Sequence, residues 1–217
     1  MHKVVLTPDI DPLEENRDLA EANREMLSEH GAFAVDILGS IGSGKTTLIA
    51  LLGERLRARG LRAAAIAGDV AGDDDFRRFV QAGIPAVNVN TGKECHLDAH
   101  YVRHALEDLD LDGVDVVFIE NVGNLVCPAD FPLGAEKRIV VISITEGDDM
   151  VRKHPAIFAE TDAAVLNKVD LAPYMMDASV ERVLSDYGKV NPRGRIIAAS
   201  ARTGQGLGEL TELVLDR

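Results

Sequence analysis

The sequence predicts a three-layer α/β fold, a mostly parallel twisted sheet flanked by helices, and three observations carry that prediction. Seven short apolar runs alternate with helix-patterned stretches from residue 32 onward. A glycine-rich turn, Gly39-Ser40-Ile41-Gly42-Ser43-Gly44-Lys45-Thr46, lies between the first of these runs and the helical stretch that follows it. No segment approaches the roughly 18 uninterrupted apolar residues of a membrane span. Runs that are apolar throughout suit strands buried on both faces, and the intervening helices supply the covering layers.

Taken in order, residues 13–30 are rich in helix formers, with Leu19, Ala22, Met26 and Leu27 on one side and Gly31 closing the run. This marks residues 1–31 as an N-terminal extension with an amphipathic helix. Residues 32–217 form one nucleotide-binding domain carrying metal-binding insert elements, a length that one α/β core accommodates. Residues 32–38 read as a buried strand, and Leu48, Leu51, Leu52 and Leu56 form a helical stripe ending before Gly60. Further strands are expected at 62–67, 86–90, 114–119, 138–144, 163–167 and 195–199, with a last helix at 207–215. The segments at 68–75, which is acidic, and 123–134, which holds Pro128 and Pro132, are irregular and follow strands. In open α/β sheets, ligands collect at such carboxyl ends.

A net charge of −13 disfavours nucleic acid, which requires a basic surface. The apolar stretch near Met1 is too short for a secretion signal, so a soluble cytoplasmic protein without a membrane partner is expected. Two cysteines, Cys95 and Cys127, are too few for a disulfide framework and suit free thiols or metal thiolates.

The glycine-rich turn fits the P-loop pattern at every fixed position. Gly39, Gly42 and Gly44 allow a tight turn whose N–H groups, with those of Ser43 and Thr47, face the phosphates at a helix N-terminus. Lys45 is expected on the β- and γ-phosphates, and Thr46 offers a hydroxyl to Mg²⁺. Asn167-Lys168-Val169-Asp170 ends the strand at 163–167, where a guanine-reading loop belongs. A carboxylate at Asp170 accepts the N1 and N2 hydrogens of guanine, a donor pair that adenine lacks. Ala199-Ser200-Ala201-Arg202 resembles the second guanine loop, whose backbone N–H reaches the base oxygen. The nucleotide is therefore expected to be GTP.

Glu120-Asn121-Val122-Gly123 follows an apolar strand and resembles the Asp-x-x-Gly switch of GTPases, with Glu for Asp. Glu120 is a candidate for Mg²⁺ and Gly123 for the γ-phosphate. Asp75 is the candidate for the first switch and Asp69 a further metal candidate; a solvated acidic loop is the plainer reading. The sequence identifies no glutamine or arginine finger, so slow intrinsic hydrolysis is expected.

Cys95-His96 stands at a helix entrance, and His96, His100 and His104 recur four apart. Thiolate and imidazole together suit Zn²⁺ or Ni²⁺, whereas isolated histidines would simply decorate an exposed helix. Cys127 follows the Gly123 switch, so a metal thiolate there would be tied to the segment that senses the γ-phosphate. Three protein ligands leave a four-coordinate site incomplete. A two-fold dimer would complete it with a second Cys95, His96 and Cys127.

These motifs, together with Gly92-Lys93-Glu94-Cys95-His96-Leu97-Asp98-Ala99, Asn124-Leu125-Val126-Cys127-Pro128 and Thr145-Glu146-Gly147-Asp148-Asp149, resemble the HypB family of hydrogenase-maturation GTPases across nearly the whole chain. The resemblance implies a GTP-dependent homodimer that helps deliver Ni²⁺ to the hydrogenase large subunit beside a maturation co-chaperone. It also implies an interface metal site at Cys95, His96 and Cys127, a second Zn²⁺ position at His100 and His104, and Lys153 reaching the partner's nucleotide. Many family members carry a Cys- or His-rich N-terminus, but Met1–Asp11 has only His2, so nickel storage is not expected there. Ala129 follows Cys127-Pro128 where the related urease-maturation GTPases place His, which favours the hydrogenase branch. Alternatives left open are that urease-type GTPase, a metal storage or scaffold protein with structural nucleotide, and an ATP-dependent kinase.

Overall fold

The computed structural model describes residues 12–216. Its elements run α1 (Pro12–Glu29), β1 (Phe33–Gly39), α2 (Lys45–Ala58), β2 (Ala63–Asp69), α3 (Asp74–Gln81), β3 (Ala86–Asn90), α4 (Ala99–Asp108), β4 (Val116–Glu120), β5 (Lys137–Ser143), α5 (Met150–Lys153), α6 (Pro155–Ala159), β6 (Ala163–Asn167), α7 (Val180–Val190), β7 (Arg195–Ala198) and α8 (Leu207–Leu215). The strands form one seven-stranded sheet in the order β3-β2-β4-β1-β5-β6-β7, and each neighbouring pair is parallel. Helices lie on both sides, so the α/β three-layer class read from the sequence is the one found.

Alternation along β1 divides the core. Phe33, Val35 and Ile37 pack with Leu48, Leu52 and Leu56 of α2, Phe79 of α3 and Leu210 and Val214 of α8. On the opposite face, Ala34 joins Leu27 of α1 and Val102 and Leu106 of α4, while Leu38 joins Phe158 of α6 and Val183 and Tyr187 of α7. Between these last two clusters the same face carries Asp36, a fully buried carboxylate in an otherwise apolar strand.

The buried side of α1 differs from the stripe suggested by its apolar residues. It is centred on Asn16, Ala20, Asn23 and Leu27, with Leu19, Ala22 and Met26 on the flanks. The two asparagines are buried because they serve backbone. Asn16 donates to the Pro132 carbonyl at 2.9 Å and accepts from the Ala99 N–H at 2.8 Å, and Asn23 donates to the Ala99 and Leu133 carbonyls. Helix α1 thereby holds the start of α4 and the loop before β5. The expected N-terminal segment Met1–Asp11, with His2, lies outside the described residues.

Because β2 and β4 lie to one side of β1 and β5 to the other, the chain reverses its winding at β1. The loops after β1, β2 and β4 therefore meet above the carboxyl end of the sheet, where crevices form in such folds. Among the described residues, no helix is long and apolar enough to cross a membrane.

Candidate nucleotide and metal sites

A cleft of about 510 Å³ opens at this edge, lined by Gly42, Gly44, Lys45, Thr46 and Thr47 of the loop and start of α2, by Asp69 and Asp75, and by Glu120, Gly123 and Lys168. Two glycines explain the path of the loop. Gly39 has φ +145° and a Cβ there would stand 2.1 Å from the Val141 carbonyl oxygen; Gly44 has φ +98° and its Cβ would stand 2.4 Å from Asn167 Nδ2. Lys45 is buried, and its ammonium donates to the carbonyls of Gly39 at 3.3 Å and Ser40 at 3.2 Å. Burial pulls its pKa down, opposed by Glu120, Asp75, Glu146 and Asp69. A cation held this way suits a polyphosphate.

Thr46 Oγ1 stands 2.7 Å from Asp75 Oδ1 and 3.0 Å from Glu120 Oε1. One hydroxyl proton cannot serve two carboxylates. The other Glu120 oxygen, Oε2, is buried without a hydrogen-bond partner. Desolvation is the largest cause lifting the Glu120 pKa to about 7, the Lys45 ammonium opposing it and Asp75 adding to it. A hydroxyl, two converging carboxylates and an orphaned oxygen form an all-oxygen donor set of the kind hard divalent cations take, so the residues present fit Mg²⁺. Asp69 lines the same cleft, while its Oδ1 accepts from the Val70 N–H.

Gly123 packs against the loop, since a Cβ on it would lie 2.3 Å from Ile41 Cγ1. Sequence reading gave no role to one residue of the cleft and one that braces its loop. Arg78 of α3 lines the wall 3.9 Å from Asp75, where no arginine had been named. Glu146 accepts from Ser40 Oγ at 2.5 Å and from the Ser143 N–H, tying the P-loop to the turn after β5. Its presence in the motif at 145–149 was the available signal.

At the guanine end, Asn167 Nδ2 donates to the Ser43 carbonyl at 2.9 Å, and its Oδ1 accepts the N–H groups of Lys168 and Ala201. Lys168, with φ +60°, reaches back to the Gly42 carbonyl at 2.7 Å. Asp170 Oδ1 accepts from Ser200 Oγ at 2.6 Å, and Arg202 stands 3.8 Å from Asp170 Oδ2. Ser200 thus orients the carboxylate with its side chain, beyond the backbone contact expected of its loop.

The structure brings Cys95, His96 and Cys127 together: their ligand atoms all lie within 4.8 Å of one another, and among the described residues they form the one such group. Cys95 and His96 come from the loop after β3, Cys127 from the turn Cys127–Asp130 after β4. Cys95 Sγ is 3.9 Å from His96 Nδ1, and the imidazole stacks on Phe131 with ring centroids 4.1 Å apart. The neighbouring Cys127 thiol, helped by desolvation, pushes the Cys95 pKa up, as expected when two thiols share a proton. Two sulfurs and an imidazole nitrogen fit a borderline-soft ion such as Ni²⁺ or Zn²⁺.

Asn124 connects the two sites. Its backbone pairs with Gly39 in an antiparallel bridge, and its Nδ2 donates to the Cys95 carbonyl at 3.3 Å. Elsewhere, the His100 and His104 rings lie edge to face 4.6 Å apart, with His104 Nδ1 3.4 Å from Glu107. Lys153 is exposed and pairs with Asp149 at 2.8 Å.

A model of the CobW/HypB/UreG nucleotide-binding domain matches residues 33–198. The chain is 49% identical over 215 residues to the probable hydrogenase maturation factor HypB of Methanocaldococcus jannaschii, covering 99% of this chain and 96% of that one. The crystal structure of hydrogenase maturation factor HypB from Archaeoglobus fulgidus superposes with a TM-score of 0.85 at 47% identity, covering 93% of this chain and 97% of that one. The structure of HypB from Helicobacter pylori in complex with nickel gives 0.87 at 32% identity, covering 93% and 94%.

Proposed function

The chain belongs to the HypB family of P-loop GTPases that serve hydrogenase maturation, and on that premise we propose that its GTP cycle governs a metal site built from Cys95, His96 and Cys127. It hydrolyses GTP and assists nickel insertion into hydrogenase. The observation that carries the reading is the backbone bridge from Gly39 to Asn124, combined with the Asn124 contact to the Cys95 carbonyl. A γ-phosphate pulling Gly123 toward the P-loop would move Asn124, and with it the loop that holds Cys95.

In the nucleotide cleft, Lys45 neutralises β- and γ-oxygens while the N–H groups of the loop and the start of α2 receive the remaining phosphate charge. Thr46, Asp75, Glu120 and Asp69 are the residues that would hold Mg²⁺, which would supply further neutralisation of phosphate charge. Asp170, oriented by Ser200, selects guanine, and Asn167 braces the loop. Asp75 and Glu120 would orient the attacking water.

Nickel is cargo. Three ligands from one chain leave coordination unfinished, and a GTP-dependent homodimer completes it with the same residues from a second copy. In that dimer Lys153 reaches the partner's nucleotide, and His100 with His104 offers a further Zn²⁺ position. The hydrogenase large subunit and a maturation co-chaperone are the acceptor and companion. Only a difference in metal affinity between GTP and GDP states makes this a switch. Ni²⁺ titration and size measurement of the GDP and GTP-analogue forms, for wild type and Cys95→Ala, test it. Equal affinity in the two states, or a monomer in both, overturns it.

A further inference from the structure

Asp36 sits in the middle of β1, three residues before Gly39, and is fully buried. An isolated carboxylate there would be costly, so what it faces decides its role. Its register partner on β5 is Arg138, whose Nε stands 3.4 Å from Asp36 Oδ2. Its other oxygen, Oδ1, accepts from Asn121 Nδ2 at 3.3 Å. Burial raises its pKa, and Arg138 and Asn121 work against that rise by favouring the ionised form.

Both partners spend their remaining groups on the loops that carry the metal ligands. Arg138 Nη2 donates to the Pro128 carbonyl at 2.6 Å and Nη1 to the Ala129 carbonyl at 3.1 Å, directly after Cys127. Asn121 Oδ1 accepts the Leu97 N–H at 3.1 Å, directly after His96, and the Val122 N–H at 3.0 Å. Those two acceptances fix the Asn121 amide so that its NH₂ faces Asp36. One carboxylate thus orients two side chains, and each grips the backbone beside a different part of the ligand set.

We propose that Asp36 is a positioning residue for the metal site, setting through Asn121 and Arg138 the separation of the two loops that bear Cys95, His96 and Cys127. A bare ion pair would need only one charge partner, whereas here the guanidinium fork is aimed at two carbonyls and lies 17% exposed. Groups that orient ligands without touching the ion tune affinity strongly. The proposal rests on the Cys95/His96/Cys127 reading.

The test is Ni²⁺ titration of the full chain with Mg·GDP, reading both dissociation constant and sulfur-to-nickel charge-transfer absorption, for wild type, Arg138→Gln, Arg138→Lys, Asp36→Asn and Cys127→Ala. Arg138→Gln and Asp36→Asn should weaken Ni²⁺ by about 10- to 100-fold and alter the absorption band, while GDP affinity stays within about threefold. Arg138→Lys, which keeps the charge but loses the fork, should fall between wild type and Arg138→Gln. If Arg138→Gln or Asp36→Asn does not fold, Arg138→Lys carries the test alone. Wild-type affinity and an unchanged band in folded Arg138 variants, with Cys127→Ala weakened, overturn the positioning role only. An unweakened Cys127→Ala removes the metal site itself and the proposal with it.

Discussion

Asn124 Nδ2 donates to the carbonyl oxygen of Cys95 at 3.3 Å, bridging 29 positions of sequence, while the Asn124 backbone is paired with Gly39 of the phosphate loop. A residue with its backbone on one site and its side chain on the other is a direct contact route for a nucleotide signal. Asn124→Ala should therefore bring the ratio of Ni²⁺ affinities in GTP-analogue and GDP states toward one. GDP affinity should change less than threefold, roughly the scale of losing one exposed hydrogen bond. A ratio identical to wild type in paired titrations would place the coupling elsewhere.

Glu120 gives the metal-free protein a defined pH response. Its folded pKa, about 7, lies above the ordinary 4.5, so between those values the folded state holds a proton that the unfolded state has released. Stability from this group is complete below about pH 4.5 and is lost as pH rises toward 7, about 3 kcal/mol in total. Denaturant titrations in chelator across this window should show that decline. Glu120→Gln should flatten it, and Mg·GDP should stabilise wild type more at pH 7.5 than at pH 5.5. A flat wild-type profile in chelator would contradict the assignment.

Asp170 should decide base identity. Asp170→Asn replaces an acceptor pair with a group that offers a donor, so GTP should weaken by about 100-fold or more while xanthosine triphosphate gains affinity. Ser200→Ala, which removes the 2.6 Å contact to Asp170 Oδ1, should weaken GTP by a smaller factor without admitting xanthosine triphosphate. Competition binding with the three nucleotides reads both. Equal loss for GTP and ATP analogues in Asp170→Asn would mean that the carboxylate does not read the base.

Gly44→Ala should remove nucleotide binding more severely than it unfolds the chain. The new methyl would meet Asn167 Nδ2 at 2.4 Å at φ +98°, a conformation costing ~1–2 kcal/mol for an L residue even without the clash. The melting temperature without ligand should fall by several degrees, and added GDP should no longer raise it. A normal GDP-dependent shift would show that the loop can yield.

Much of the frame was readable in the chain because period and punctuation sufficed. The runs at 32–38, 62–67, 86–90, 114–119, 138–144, 163–167 and 195–199 each coincide with a strand to within a few residues. Residue type and position beside the switch motif also pointed to the three metal candidates that the fold brings within 4.8 Å. The polar frame around them was not readable. Arg138 meets Asp36 through strand register and Asn121 meets it from just beyond β4, and no local pattern announces that a carboxylate inside an apolar strand has a guanidinium beside it. The buried asparagines of α1 were hidden for a related reason: apolar periodicity scores them as surface, whereas their duty is to satisfy loop backbone. Arg78 likewise enters the cleft because of where α3 begins, which residue spacing does not disclose.

Cys95 and Cys127 are 32 positions apart, with α4 and β4 between them. An ion joining them would be a removable cross-link between the loop after β3 and the turn after β4, restricting the excursions of both. Amide hydrogens of that loop and that turn should exchange more slowly with cargo aboard. Unloading would then return freedom to those two segments alone, an entropic contribution to handing the ion on that the donor itself would supply.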